Sequence, residues 1–326
     1  MIKQALSIDE QLALLKSRGL TVVDEYKAKE VLGDIGYYRL GFYLFPFEQT
    51  YPELHHRTHT YIDGAKFGNA VKLYYFDFEL RNLLLKYISR IEINFRTVLT
   101  YMGSMEYKAD PVWFVNPSYI TSDFISAFDR VVYNNTFKKN PTIRRHHRRY
   151  PHDTYAPAWK TIELMTFGEN VILYKSLIDE SLQKNIANSF GVRYIEVFEN
   201  YIELVRILRN TCAHGNVLFD FKPYNRIKRG PAGLETSAEY MNLYGSIKVV
   251  RYLLGRVSKN RERDMMTELQ AIIDKYYSYS EIADVLNRCS GLPKEVYQAE
   301  DRPVKPKESK ILKLLRGIFC CSNKKS

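Results

Sequence analysis

The stretch GNAVKLYYFDFELRNLLLKYISRIEINFRTVLTYM, residues 68–102, decides the fold. Leu80, Leu84, Ile88, Ile91, Phe95, Val98 and Met102 recur at alternating steps of three and four. That is the period of one long helix with a single apolar seam facing a core. The remaining faces carry Arg81, Lys86, Arg90, Glu92 and Arg96. These charges read as a solvated face, with Glu92 and Arg96 paired one turn apart. In the alternative, Arg90 or Arg96 turns toward a second polar helix and helps to hold a phosphate.

Outward from this stretch the pattern stays helical. Ser7 with Glu10 forms a capping box for a helix through Leu12, Leu14 and Leu15 to Arg18-Gly19. Asp24 can cap a second helix through Ala28, Val31 and Leu32 to about Asp34. In residues 35–44 the glycines mark close approach or a turn, and the aromatics mark packing. Residues 48–63 read as an exposed loop. It holds His55, His56 and His59, but no Cys or carboxylate completes a metal-ligand set, so neither metal nor cofactor is expected. Further helices are predicted over 122–137, from Pro157 through Trp159, Ile162 and Leu164, then over 171–178, 180–190, 194–214, 239–257, 261–277 and 280–289. No sustained period-two pattern appears, so the chain is expected to be all-α. The expected divisions are an N-terminal helical segment over 1–64, a main helical domain over 65–300, and a basic tail over 301–326.

The charge is unevenly spread. The chain carries 48 Lys and Arg against 37 Asp and Glu, a net +11. Residues 302–326 hold eight Lys or Arg and one Glu, which leaves 40 basic and 36 acidic residues, only +4, for the rest. A nucleic-acid footprint must therefore be a local patch. Two stretches qualify. No acidic residue occurs between Arg130 and His152, and this interval includes Arg144, Arg145, Arg148 and Arg149 with tyrosines nearby. It reads either as an RNA or DNA contact or as a flexible basic loop that solubilises. The second is 216–236, with Lys222, Arg226, Lys228 and Arg229, placed to close over a polyanion as a mobile loop. In the tail, Lys310 to Cys321 is a short basic amphipathic run that could order on an anionic membrane surface or on a partner. The four cysteines form no CxxC pair. The amino-terminal residues lack the apolar core of a signal peptide, and no apolar run reaches the ~20 residues of a membrane helix. A soluble, cytoplasmic protein is expected.

The chemistry concentrates at Arg209-Asn210-Thr211-Cys212-Ala213-His214, the end of the helix predicted over 194–214. Ile195, Phe198, Ile202, Val205 and Cys212 make its apolar face. Arg206, Asn210 and His214 are each four apart and stack on one face. Arg209 lies about 140° round the helix from His214, with Gly215 to break the helix behind them. A guanidinium, an amide and an imidazole so gathered suit phosphodiester cleavage without a metal. The plainer alternative is a C-terminal histidine that only complements the helix dipole.

The order of motifs resembles the Abi family of phage-defence proteins, in its AbiD/AbiF-like group. The residues that carry the resemblance begin with Gln11-Leu12, 15–20 (LKSRGL) and 37–40 (YYRL). They continue with Tyr75-Phe76-Asp77, Leu80-Arg81, Arg90-Ile91-Glu92 and Arg96. Pro157-Ala158-Trp159, Glu163, Phe167-Gly168 and 209–214 complete the series, which spans about residues 7–220. The last motif also resembles the Arg-x4–6-His signature of the HEPN superfamily. That likeness implies a HEPN-like helical bundle with additional N-terminal and C-terminal helices. It also implies a metal-independent endoribonuclease acting by 2′-hydroxyl attack, with Arg209, Asn210 and His214 catalytic, Arg206 in support, and a composite site across a homodimer. The alternative in another class is a non-catalytic RNA-binding module or an RNA-regulated toxin component.

Overall fold

The structure is a computed structural model that describes residues 4–297. The basic tail, with its run from Lys310 to Cys321, lies outside the described residues. Fourteen α-helices and three short 3-10 turns occur among the described residues, with isolated bridges but no strand. The all-helical expectation therefore holds. The first four helices are α1 (Ile8–Ser17), α2 (Glu25–Ile35), α3 (Tyr37–Leu44) and α4 (Phe67–Glu106). Next come α5 (Ser122–Val131), α6 (Asn135–Lys138), α7 (Pro141–Arg149), α8 (Ala158–Leu164), α9 (Phe167–Lys175) and α10 (Glu180–Ser189). The chain continues with α11 (Ile195–Ala213), α12 (Leu243–Val257), α13 (Lys259–Tyr277) and α14 (Ser280–Ser290).

The axis of the molecule is α4, 40 residues or about 60 Å at 1.5 Å per residue. Its seam is buried, with Leu80, Leu84, Ile88, Ile91 and Phe95 fully enclosed. Helices α3 and α8 to α14 all pack on it. Around Phe95 the rings of Phe167, Tyr174, Phe190 and Phe198 converge with centroids 5.9–6.3 Å away. Edge contacts of this kind add specificity to burial. At the far end of α4, Gly103 leaves room for Trp113; a Cβ there would lie 2.4 Å from the indole. The buried apolar residues form one cluster running from Leu12 to Val296, which the N-terminal helices share.

Local signals placed several helix ends. The Ser7–Glu10 capping box is present in both directions, and the Asp24 side chain caps α2. Three expectations need correction. Residues 37–44, where the glycines marked only close approach or a turn, form helix α3, because Gly36 at φ 86° breaks the chain before them and Leu40, Tyr43 and Leu44 then share a buried face. The helix expected over 122–137 is two helices. Asn134 divides them, its side chain accepting from the amides of Thr136 and Phe137 and so starting α6 afresh. The basic stretch at 141–149 is no flexible loop: Asn140 caps α7 and Ile143 and His146 anchor it inward.

Candidate functional site

Helix α11 runs antiparallel to α4, and its last turn carries the motif. Its apolar face, with Phe198, Ile202, Val205, Leu208 and Cys212, is buried. His214 is the cap residue, and a Schellman motif closes the helix. The Asn216 amide donates to the Thr211 carbonyl at 3.0 Å and the Gly215 amide to the Cys212 carbonyl at 3.2 Å. This geometry needs the left-handed φ of 66° at Gly215. The turn throws His214 outward, where it is exposed and its imidazole has no side-chain partner among the described residues.

Arg209 is held beside it. Its Nε donates to Glu92 Oε2 at 3.3 Å and its Nη1 to Asn210 Oδ1 at 3.3 Å. Glu92 also accepts from Arg96 at 3.2 Å, and Arg96 Nη1 lies 3.6 Å from Glu163 Oε1 on α8. The reading of 81–96 as a solvated face is thus overturned for this edge of α4. Glu92 and Arg96 are largely buried between helices, because α11 and α8 cover them. Asn210 fixes the guanidinium of Arg209, whereas Arg206 is drawn away from the site. Both its Nε (3.1 Å) and Nη2 (2.6 Å) bind Glu203, one turn back. That bond holds the Glu203 carboxyl below its ordinary range.

Behind the motif lies a polar clasp that sequence reading missed. Asp77 is fully buried and Arg81 is only 5% exposed. Arg81 donates to Asp77 across one helical turn and to the Tyr43 hydroxyl at 3.0 Å. Tyr43 donates to Asp77 at 2.8 Å, and the Leu218 amide reaches both carboxylate oxygens at 3.1 and 3.0 Å. Arg81 also donates to the Asn216 carbonyl at 3.3 Å. The chain just after His214 is therefore tied to the central helix. Burial pushes the Asp77 carboxyl up to about 6, while Arg81 and the surrounding donors pull the other way. Arg39 of α3 closes the turn from outside, donating to the Gly215 carbonyl. The signal for the clasp was present. Asp77 and Arg81 are charged residues four apart that fall in or beside an apolar seam, where charges occur only when paired.

The basic residues fall into two regions, both distinct from His214. On α7, Arg144, Arg145, Arg148 and Arg149 are all exposed while Ile143 and His146 point inward. His146 Nε2 lies 3.0 Å from Asp153, and burial beside His146 lowers the pKa of His147. In the second region Lys222, Arg226, Lys228 and Arg229 are exposed, yet the segment is not a mobile flap. The Lys228 amide donates to Asn200 Oδ1 at 2.8 Å, Asn200 Nδ2 to the Arg226 carbonyl at 3.2 Å, and the Ile227 amide to the Tyr240 carbonyl at 3.0 Å. Asn200 precedes His214 by fourteen residues, about 21 Å of helix. Arg226 and Lys228 therefore lie along the shaft of α11 rather than over its end. A cleft of about 370 Å³ runs between this segment and α11, lined by Glu196, Glu199 and Glu203 together with Lys175, Arg226 and Lys228. Burial raises the Glu199 carboxyl. The cleft's three carboxylates offset its three cations, so it is not a basic groove for a polyanion.

Near the amino terminus, Arg57 bonds Glu48 and His59 Nδ1 lies 3.3 Å from the same carboxylate, while His55 and His56 are exposed. Among the described residues no three His, Cys, Asp or Glu converge in a group that could hold a metal. No helix of the described residues is long and apolar enough to cross a membrane.

An all-helical protein with an Arg-Asn-x3-His helix end, its histidine exposed and its arginine half-buried and braced by the central helix, is the class that fold and site define. The chain belongs to the Abi-like protein family, whose model matches residues 30–220. The matched span includes the Asp77–Arg81 clasp, the Glu92 bridge and the motif at 209–214. Family membership suggests abortive-infection phage defence. No curated protein and no solved structure gave a significant match.

Proposed function

We propose that this chain acts in abortive infection as a metal-independent endoribonuclease with a HEPN-type site. The observation that carries the reading is the pairing of an exposed, unpartnered His214 with an Arg209 that Glu92 and Asn210 hold in place. His214 takes the proton from an RNA 2′-hydroxyl, or returns one to the departing 5′ oxygen. The 2′ oxygen attacks phosphorus, the bond to the 5′ oxygen breaks, and the products are a 2′,3′-cyclic phosphate and a 5′-hydroxyl. Arg209 stabilises the charge that builds on the phosphate. Asn210 orients the guanidinium. Acid and base in one step call for two imidazoles, and a two-fold homodimer that brings a second His214 across an isologous interface supplies them. The RNA reaches the site along the exposed arginines of α7.

A second reading has an observation of its own. Glu92 already neutralises much of Arg209, and Glu203 does the same for Arg206. A site so neutralised also suits an RNA-binding module without turnover. The two are separated by incubating the purified chain with total RNA in EDTA. The nuclease produces fragments ending in cyclic phosphate, and His214→Ala loses them while its circular dichroism is unchanged. Undiminished cleavage by His214→Ala would end the proposal; binding without fragments by the unaltered chain favours the module.

A further inference from the structure

The chain has two tryptophans, and the structure treats them in opposite ways. Trp113 is fully buried, its ring N–H donating to Ser104 Oγ at 3.2 Å. Trp159 is 56% exposed. Its ring takes part in no ring pairing and no hydrogen bond among the described residues. An exposed ring by itself is ordinary; what sets this one apart is how it is held and what lies beside it.

The ring is rigidly presented. Pro157 sets the start of α8, and the Ala158 amide donates to the Pro111 carbonyl at 2.8 Å. The Thr161 hydroxyl donates to the Ala156 carbonyl at 2.7 Å, and Ala158, Thr161 and Ile162 are buried. The inner face of α8 is thereby locked, and its outer face offers Trp159 and, one turn on, Glu163. The two flanks of the ring differ: one is cationic, the other is a compensated ion-pair network. On one side α8 packs against α7, with Lys160 Nζ 3.4 Å from His146 Nδ1, and α7 exposes four arginines. On the other side Glu163 meets Arg96, which shares Glu92 with Arg209.

We propose that Trp159 is a stacking platform for a base of single-stranded RNA, set between the arginine face of α7 and the Arg96–Glu92–Arg209 network. A flat π face beside the exposed arginines of α7 matches a nucleobase whose neighbouring phosphates are neutralised on that side. An apolar protein segment would use the ring but not the arginines. The inference rests on RNA being the partner, and it holds whether or not His214 turns the RNA over. The strand is thereby positioned along α8 toward Arg209 and His214.

The full chain carrying His214→Ala is titrated with a twelve-nucleotide single-stranded RNA in EDTA, following tryptophan emission and, separately, anisotropy of a label on the RNA. Trp113 is enclosed, so quenching reports Trp159. The expected result is quenching that tracks binding, none of it in Trp159→Phe, and affinity within a few fold of the parent for that aromatic replacement. Trp159→Ala lowers affinity by roughly 5- to 150-fold, the range seen for removing one base stack. The salt dependence of binding stays as in the parent, because no phosphate contact is lost. Affinity within twofold of the parent in Trp159→Ala overturns the proposal, as does binding without quenching or no RNA binding at all. Quenching by a chain that never cleaves, even with His214 intact, keeps the platform and discards the nuclease.

Discussion

Removing Arg81 tests the clasp that ties the chain after His214 to the central helix. Arg81→Met keeps most of the side-chain volume and takes away the counter-charge of a carboxylate that is fully buried. Breaking one partner of such a pair costs about 3–5 kcal/mol. The remaining donors, Tyr43 at 2.8 Å and the Leu218 amide at 3.0 Å, cannot replace the charge. With unfolding entropy near 2.1 cal/mol/K per residue, that loss lowers the melting temperature of a roughly 300-residue fold by about 5–8 °C.

The pH dependence has a definite sign. Burial already raises the native Asp77 carboxyl to about 6, above its value in the unfolded chain, near 3.9. Such a group contributes stability that is fully present below the unfolded pKa and is lost as pH rises through the folded one. Without Arg81 the folded value climbs further, so the variant goes on losing stability above pH 6 where the parent has stopped. The deficit should be largest at pH 7.5 and shrink by pH 5, leaving only the lost bonds to Tyr43 and the Asn216 carbonyl. Urea unfolding followed by circular dichroism at both pH values measures it, and amide exchange at Leu218 should accelerate. A deficit under 1 kcal/mol at pH 7.5, or one that does not change with pH, refutes the clasp as the anchor of the site.

Gly215→Ala should destabilise by about 1 kcal/mol, since an L residue must take φ 66° there with its Cβ 3.5 Å from Arg39; equal urea midpoints would contradict this. Replacing Arg144, Arg145, Arg148 and Arg149 together by alanine should leave the melting temperature within about 2 °C, because all four are exposed. The same variant should flatten the dependence of RNA affinity on salt by up to about 3 in log–log slope, and an unchanged slope would remove α7 from the RNA path. Cys212, its thiol pushed up to about 12 by burial, and Cys289, raised by the same cause, should resist iodoacetamide at pH 8 in the folded protein. Peptide mass mapping reads this directly, and rapid labelling of Cys212 would mean that the end of α11 frays.

What could be read from the sequence was whatever depends on neighbours along the chain. The seam from Leu80 to Met102 announces a helix because burying one face needs a residue every three or four positions. The Ser7–Glu10 cap, the break at Gly215 and the apolar face of α11 follow from the same local rules. Local rules also placed Arg206, Asn210 and His214 on one stripe. Only the tertiary structure decided that Arg206 turns back to Glu203 while Arg209 reaches Glu92, 117 positions earlier in the chain. The burial of Arg81, the bond from Arg39 to Gly215 and the docking of Arg226 and Lys228 along α11 likewise join residues far apart in sequence. A charged side chain on a helix reads the same whether water or another helix lies beyond it. What lies beyond is set by packing, and packing turned an expected solvated edge of α4 into the brace behind His214.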